Sequence, residues 1–435
     1  MRWIDGGFVR PFLVVYVILA FFAPPIAWGV KKIFIVDGWI ALAALAGLLL
    51  SLRNPPVMRS PRITGDRASW ALWIGILALA LVYWHGKYRP SLKEDLDYAL
   101  AHARDNDGFR PFDAVQDGIL WLRFTSWLGA AVALVLRAKQ TFKNREEALG
   151  FLGRLWGGAC VAESLLALLA YHSPLRHPLG TLYGYDPDYL AWANRLYGSF
   201  SSPIELSAVL AMGVLWWLAQ VRTLGPGARR TRAALALGVC SVGLIHTNSY
   251  TAVLGCFMGA AFLFRGWILP RWKILTIVLT ITTAFFVYAS TQAHQWAAEY
   301  PWFFKLRFHD KIPNLLFRMK PWKIFLDSIF SRWDHALLGM GFARSHSDNG
   351  YLQILRTGGL TLFAPLMALL VMHCRNIMVE AEKGPALLWS SAITICVLTS
   401  AMATDVLIFR AAGTLFFWVL ALNLAFHRTA KYPIK

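Results

Sequence analysis

Arg123, Arg356 and Arg410 each interrupt an otherwise apolar run, four to six residues from one end of it, and Glu205 stands at the start of another. An arginine near the middle of a bilayer costs at least about 2.5 to 3.5 kcal/mol on insertion scales. Such a side chain faces a protein interior or a wet cavity, or snorkels to the headgroups. Guanidinium forks match phosphate oxygens two at a time. Three arginines at one depth point to an anionic ligand, and a diphosphate head on a lipid tail fits, because the tail can stay among the acyl chains. A second constellation, Asp105-Asn106-Asp107-Gly108, matches the opening of a calcium loop. It lacks the bidentate glutamate that such a loop needs further on, so no metal site is expected.

The elements that position these groups follow from composition. The 435 residues are 57% hydrophobic and 15% charged, with 20 Trp and 28 Phe. Apolar runs near the ~20 residues needed to cross a hydrocarbon core recur along the whole chain. Helices, which satisfy their own backbone, are the economical structure in lipid. The reading is an all-α polytopic membrane protein, 1–435 forming one membrane domain of about twelve spans. They fall at 11–30, 33–52, 69–84, 118–136, 148–171, 203–221, 232–247, 249–267, 272–291, 350–373, 385–403 and 406–426. Pro24-Pro25 interrupts the first run and further spans follow it, so a cleaved signal peptide is not expected.

Lys and Arg set the orientation. Arg53, Arg59, Arg62 and Arg67, then Arg137, Lys139, Lys143 and Arg145, then Arg222, Arg229, Arg230 and Arg232 return in every second loop, and Arg428, Lys431 and Lys435 close the chain. Both termini are expected in the cytoplasm. The net charge of +19 is then mostly topological and implies no nucleic-acid partner. Cys160, Cys240, Cys256, Cys374 and Cys396 fall in or at the ends of spans and read as small core residues.

Three long segments, 85–117, 173–202 and 292–349, lie on the other side. The third breaks the charge rule with Lys305, Arg307, Lys311, Arg318, Lys320, Lys323, Arg332 and Arg344, as long loops can. Within it Trp322, Phe325, Ile329, Phe330 and Trp333 have helical spacing, which predicts an amphipathic helix along the membrane surface.

Four patches in these external segments resemble, in order, those of the membrane glycosyltransferases that include O-antigen ligases and Wzy-type polysaccharide polymerases. Arg195-Leu196-Tyr197-Gly198-Ser199-Phe200-Ser201-Ser202-Pro203 is similar to that family's Arg, Gly-x-Phe and Pro leading into a span. His246-Thr247-Asn248-Ser249-Tyr250-Thr251 fills a tight turn between two short spans, where the family often has Ser-Arg. Arg318-Met319-Lys320-Pro321-Trp322 and Gly339-Met340-Gly341 resemble the Arg and Trp opening the surface helix and the Gly-x-Gly after it. Ser345-His346-Ser347-Asp348-Asn349-Gly350-Tyr351-Leu352, with Gly358-Gly359-Leu360, looks like the His-Asn-x-Tyr-Leu segment of the following span. The resemblance covers about 190–375. It departs at Tyr250, where Arg is common, and at Asp348, where ligases usually carry His.

The resemblance implies transfer of a glycan from undecaprenyl diphosphate to an acceptor hydroxyl on the periplasmic side of a bacterial inner membrane, with no cofactor, nucleotide sugar or required metal. Arg195 and Arg318 carry over as diphosphate ligands; Arg356 and Arg410 join them on depth alone. The acceptor proton would go to Asp348, at the motif position, or to His346, with the better intrinsic pKa. Asp348 is favoured as the aligned residue, and the alternative reading of it is an N-cap of the span at 350–373. His246, Asn248, Tyr250, Asn349, Tyr351 and Trp322 are candidate glycan or acceptor contacts. The Asp-Asn-Gly-Tyr-Leu form favours a polymerase of exopolysaccharide or O-antigen repeats over a ligase to lipid A core. A chain-length regulator or export complex would be a further partner. The rival from another class is a lipid-linked oligosaccharide flippase, which would place its site at the midplane between repeated halves, and no repeat is visible.

Overall fold

The computed structural model describes residues 9–28, 31–53, 126–183, 195–268, 322–339 and 349–426, with single positions or short stretches left out of the last four. Helices dominate: α1 (Val9–Phe22), α2 (Ile35–Arg53), α3 (Arg145–Tyr171), α4 (Arg176–Tyr183), α5 (Pro203–Thr223), α6 (Ala228–His246), α7 (Tyr250–Leu263), α8 (Arg265–Ile268), α9 (Trp333–Leu338), α10 (Gly350–Glu380), α11 (Pro385–Ala401) and α12 (Ala412–Ala425). Further helical residues lie between 126 and 141. A two-stranded hairpin joins α1 to α2, with β1 (Pro25–Trp28) antiparallel to β2 (Lys31–Phe34) and Pro25 opposite Phe34.

Helices α3 and α5 are long and apolar enough to cross a membrane, and α1, Ile35–Gly47 of α2, α7, α11 and α12 are shorter apolar helices. The expected runs at 33–52, 148–171, 203–221, 232–247, 249–267 and 385–403 are helical to within a few residues. The run at 11–30 is helical only to Phe22, because Pro24-Pro25 cannot continue the hydrogen-bond ladder. In the last run α12 covers Ala412–Ala425, and the runs at 69–84 and 272–291 lie outside the described residues. At 14 residues, α1, α7 and α12 are about 21 Å long, short of the ~30 Å hydrocarbon core.

Local chemistry explains where helices begin. Asn144 caps α3, its Oδ1 accepting from the Glu147 amide at 2.8 Å, while Glu147 accepts from the Lys143 amide. Pro203 and Pro385 open α5 and α11, where a missing N–H costs nothing. Small residues let the helices approach. Gly153 and Gly157 lie under the Trp216 ring, Gly213 faces Cys160, and Gly255 and Gly259 bring α7 onto α11 at Cys396 and Ala392. Cys160, Cys240, Cys256 and Cys396 are buried free thiols within this packing, and Cys374 is half-buried. Outward stripes stay apolar: Leu42, Leu45 and Leu49 on α2, and Leu254, Phe257 and Met258 on α7.

The bundle has two distinct ends. At one, Arg10 of α1 pairs with Glu147 at 2.7 Å, and Glu146 accepts from the Ala386 and Leu387 amides at 2.9 and 3.1 Å, capping α11. No side chain of α11's own does this, so Glu146→Ala is expected to cost about 1 kcal/mol, with a lower thermal midpoint for the protein in detergent. An unchanged midpoint would show water caps the helix as well. At the other end, the Tyr183 hydroxyl donates to Phe22 O at 2.9 Å and the Tyr351 hydroxyl to Leu398 O at 2.8 Å. The Ala411 amide donates to Glu205 Oε1 at 3.0 Å. The first end thus gathers the starts of α1, α3 and α11. The second gathers the ends of α1, α6 and α11 with the starts of α5, α7, α10 and α12.

Candidate functional site

The second end carries the patches singled out in the sequence. Residues 195–200 form a loop rather than a helix because Gly198 turns it at φ +57°, a conformation that favours glycine, and the Phe200 amide closes on Tyr197 O at 3.0 Å. Leu196 and Phe200 are buried anchors; Phe200 packs edge-on against Phe21 with centroids 5.8 Å apart. Arg195 at the head of the loop is half-buried, and its charge acts on the Tyr250 phenol.

The Leu196 amide donates to His246 O at 3.1 Å, so the first patch is bonded directly to the second. That second patch is the expected tight turn. The Thr247 hydroxyl donates to Leu244 O at 2.6 Å, and Asn248 takes φ +54°, which a short polar side chain tolerates. His246 is exposed, and its Nδ1 donates to Val242 O at 2.9 Å.

The third and fourth patches also meet. Gly339 at φ +78° and Gly359 at φ +57° lie backbone to backbone, and a Cβ on either would overlap main-chain atoms of the other segment. The Thr361 hydroxyl donates to Leu337 O at 2.6 Å across the same contact. Gly359 breaks α10, so Gly350–Gly358 is a separate short helix. Asn349 caps it, its Oδ1 accepting from the Tyr351 and Leu352 amides at 3.1 Å each. That is the capping role expected as an alternative for Asp348. Tyr351, half-buried, spends its hydroxyl on Leu398 O.

The α11 C-terminal turn joins the two halves, because Ser400 donates to Thr251 O at 3.3 Å two residues beyond Leu398. Residues as far apart in sequence as Leu196 and Ser400 are thereby held at one end of the bundle. Arg356 lies on the short helix and is 1% exposed, and Gln353, one turn earlier on the same face, is buried too. The surface segment differs from its expected form. Arg332 is extended immediately before α9; Ile329 is buried while Phe330 and Trp333 face outward, and Phe325 lies outside the described residues. Trp322 is helical and partly buried. Arg332 contacts Asp334 at 3.3 Å. Arg318, Arg410, Arg123, His346 and Asp348 lie outside the described residues, as do Asp105 and Asp107.

Sequence reasoning misses Glu163. It is fully buried in α3 and accepts from the Ser199 amide at 2.7 Å, holding the Gly198-Ser199-Phe200 turn in place. The signal that finds it is an acid inside a long apolar run, an expensive residue to keep without a task. Comparison with protein-family models and with curated proteins gives no match.

Proposed function

We propose that this chain is an integral membrane glycosyltransferase that moves a glycan from undecaprenyl diphosphate to an acceptor hydroxyl on the periplasmic side, polymerising lipid-linked repeat units. The observation that carries the reading is the convergence of the patches. The Arg195 loop is bonded to the His246 turn, the Gly339 segment is packed on Gly359, and α11 ties the two pairs together at one end of the bundle. Leaving-group charge on the diphosphate calls for fixed cations, assigned to Arg195, Arg318, Arg356 and Arg410. The attacking hydroxyl calls for a base, Asp348 or His346. Joining the glycan to lipid A core instead would use the same machinery.

The test is complementation of a strain lacking the protein. Arg195→Ala and Arg318→Ala are expected to lower transfer by about 10²- to 10³-fold, the loss typical when one preorganised charge stabiliser is removed. Single repeats accumulating on lipid identify a polymerase; full-length polymer left on lipid identifies a ligase. Of Asp348→Asn and His346→Ala, the one that abolishes transfer names the base. Wild-type polysaccharide from all four variants at normal expression would defeat the reading.

One observation favours the rival transport reading: α10 is broken at Gly359, and broken helices line the sites of many transporters. Here the break is filled by the Gly339 backbone and the Thr361–Leu337 bond, which gives it a packing role. A flippase would leave glycan lengths unchanged and alter only the side of the membrane on which the lipid-linked unit is found.

A further inference from the structure

The hydrogen bonds around Glu163 specify a proton. Oε1 accepts from the Ser199 amide at 2.7 Å; Oε2 lies 2.8 Å from Ser199 Oγ, which also contacts the carbonyl oxygen of Phe21. A serine hydroxyl has one hydrogen and here faces two acceptors. With an ionised carboxylate, one of the two contacts is oxygen against oxygen with no hydrogen between them, in a fully buried place. A proton on Oε2 resolves the conflict: Oε2–H donates to Ser199 Oγ, and Ser199 O–H donates to Phe21 O. Every group then has a partner. Cys160 and Tyr183, the titratable groups whose electrostatics involve Glu163 among the described residues, carry no positive charge that would favour a carboxylate.

The loop is fitted to this carboxyl. A Cβ at position 198 would overlap Glu163 Oε1, so the glycine supplies both the positive φ and the space. Leu196 is fixed to α6 through His246 O, and Ser199 is fixed to α3 through Glu163 and to α1 through Phe21. Arg195 stands at the head of this clamped turn.

We infer that Glu163 is a positioning residue for Arg195, a neutral carboxylic acid in the membrane that pins the 195–200 loop to α3 and α1. The inference rests on the reading of Arg195 as a ligand of the donor diphosphate. Its substrate class is therefore a polyprenyl diphosphate, and Glu163 acts on it only through the loop.

Binding of undecaprenyl diphosphate to the detergent-purified full chain tests it. Arg195→Ala is expected to weaken binding by about tenfold or more and Glu163→Ala by about fivefold, while the double variant binds no more weakly than Arg195→Ala alone, because coupled residues are non-additive. Glu163→Gln reproduces the neutral donor and acceptor and is expected within about twofold of wild type. Hydrogen exchange of the 195–200 amides, which needs no ligand, is expected to quicken in Glu163→Ala and not in Glu163→Gln. Should Glu163→Ala fail to fold, Ser199→Ala takes its place in the cycle, since it removes the relay and keeps the amide bond. Additive losses in the double variant would overturn the positioning role. Glu163→Gln as weak as the alanine variant, or quickened exchange in it, would overturn the neutral acid. A wild type that does not bind the probe would remove the diphosphate reading and the inference with it.

Discussion

Gly359→Ala is expected to destabilise the protein by about 3 kcal/mol, the upper end of the cost of forcing a side chain into a backbone region reserved for glycine. Gly359 has φ +57° and ψ −164°, and its added Cβ would overlap Leu337 O and the Gly339 amide nitrogen. Both are main-chain atoms and cannot swing aside as a flexible side chain would. Relief therefore means separating α9 from α10, which undoes the Thr361–Leu337 bond and loosens the first half of α10 that carries Gln353 and Arg356. The check is the thermal midpoint in detergent beside Gly158→Ala, a helical glycine with nothing within 4 Å of its added Cβ. The control is expected to be neutral or stabilising by up to about 1 kcal/mol. Equal midpoints for the two variants would mean that the Gly339–Gly359 contact does not hold these segments together.

Helix positions were legible in the sequence because apolar length is a local signal. Runs such as 148–171 and 203–221 needed only capping chemistry at Asn144 and Pro203 to settle their ends. The end of α1 was legible in principle, since Pro24-Pro25 stops a helix whatever the hydropathy beyond it. Which residues meet was another matter. The Gly-x-Gly and Gly-Gly patches have no period linking 339 to 359, and it takes their positive φ values and their backbone-to-backbone contact to explain why both are glycine. Glu163 was hidden for a related reason: its partner lies 36 residues away on a loop whose fold depends on Gly198. The amphipathic spacing from Trp322 to Trp333 predicts one helix, yet the backbone is extended at Arg332 just before α9, because spacing says nothing of a local change in backbone dihedrals.

Under the proposed function, Arg356→Met is expected to lower transfer by at least about 100-fold, close to 3 kcal/mol in transition-state stabilisation, and by more than any fall in the thermal midpoint accounts for. The two readouts are expected to part because of where the residue lies. Arg356 is 1% exposed on the short first half of α10, and keeping a guanidinium that deep costs several kcal/mol in desolvation before any contact repays it. Methionine fills much of the same volume and needs no solvation, which limits the cost of the exchange to the contacts the guanidinium makes within the fold. On the proposed function, a donor diphosphate at the same end of the bundle would lose a fixed cation, and the loss would be largest when charge builds on the leaving oxygen. Arg356→Lys should recover only part of the rate, since an ammonium keeps the charge but not the two-pronged geometry. If Arg356 served packing alone, the methionine variant would keep its transfer rate or lose rate and stability together, and either result would remove Arg356 from the diphosphate site.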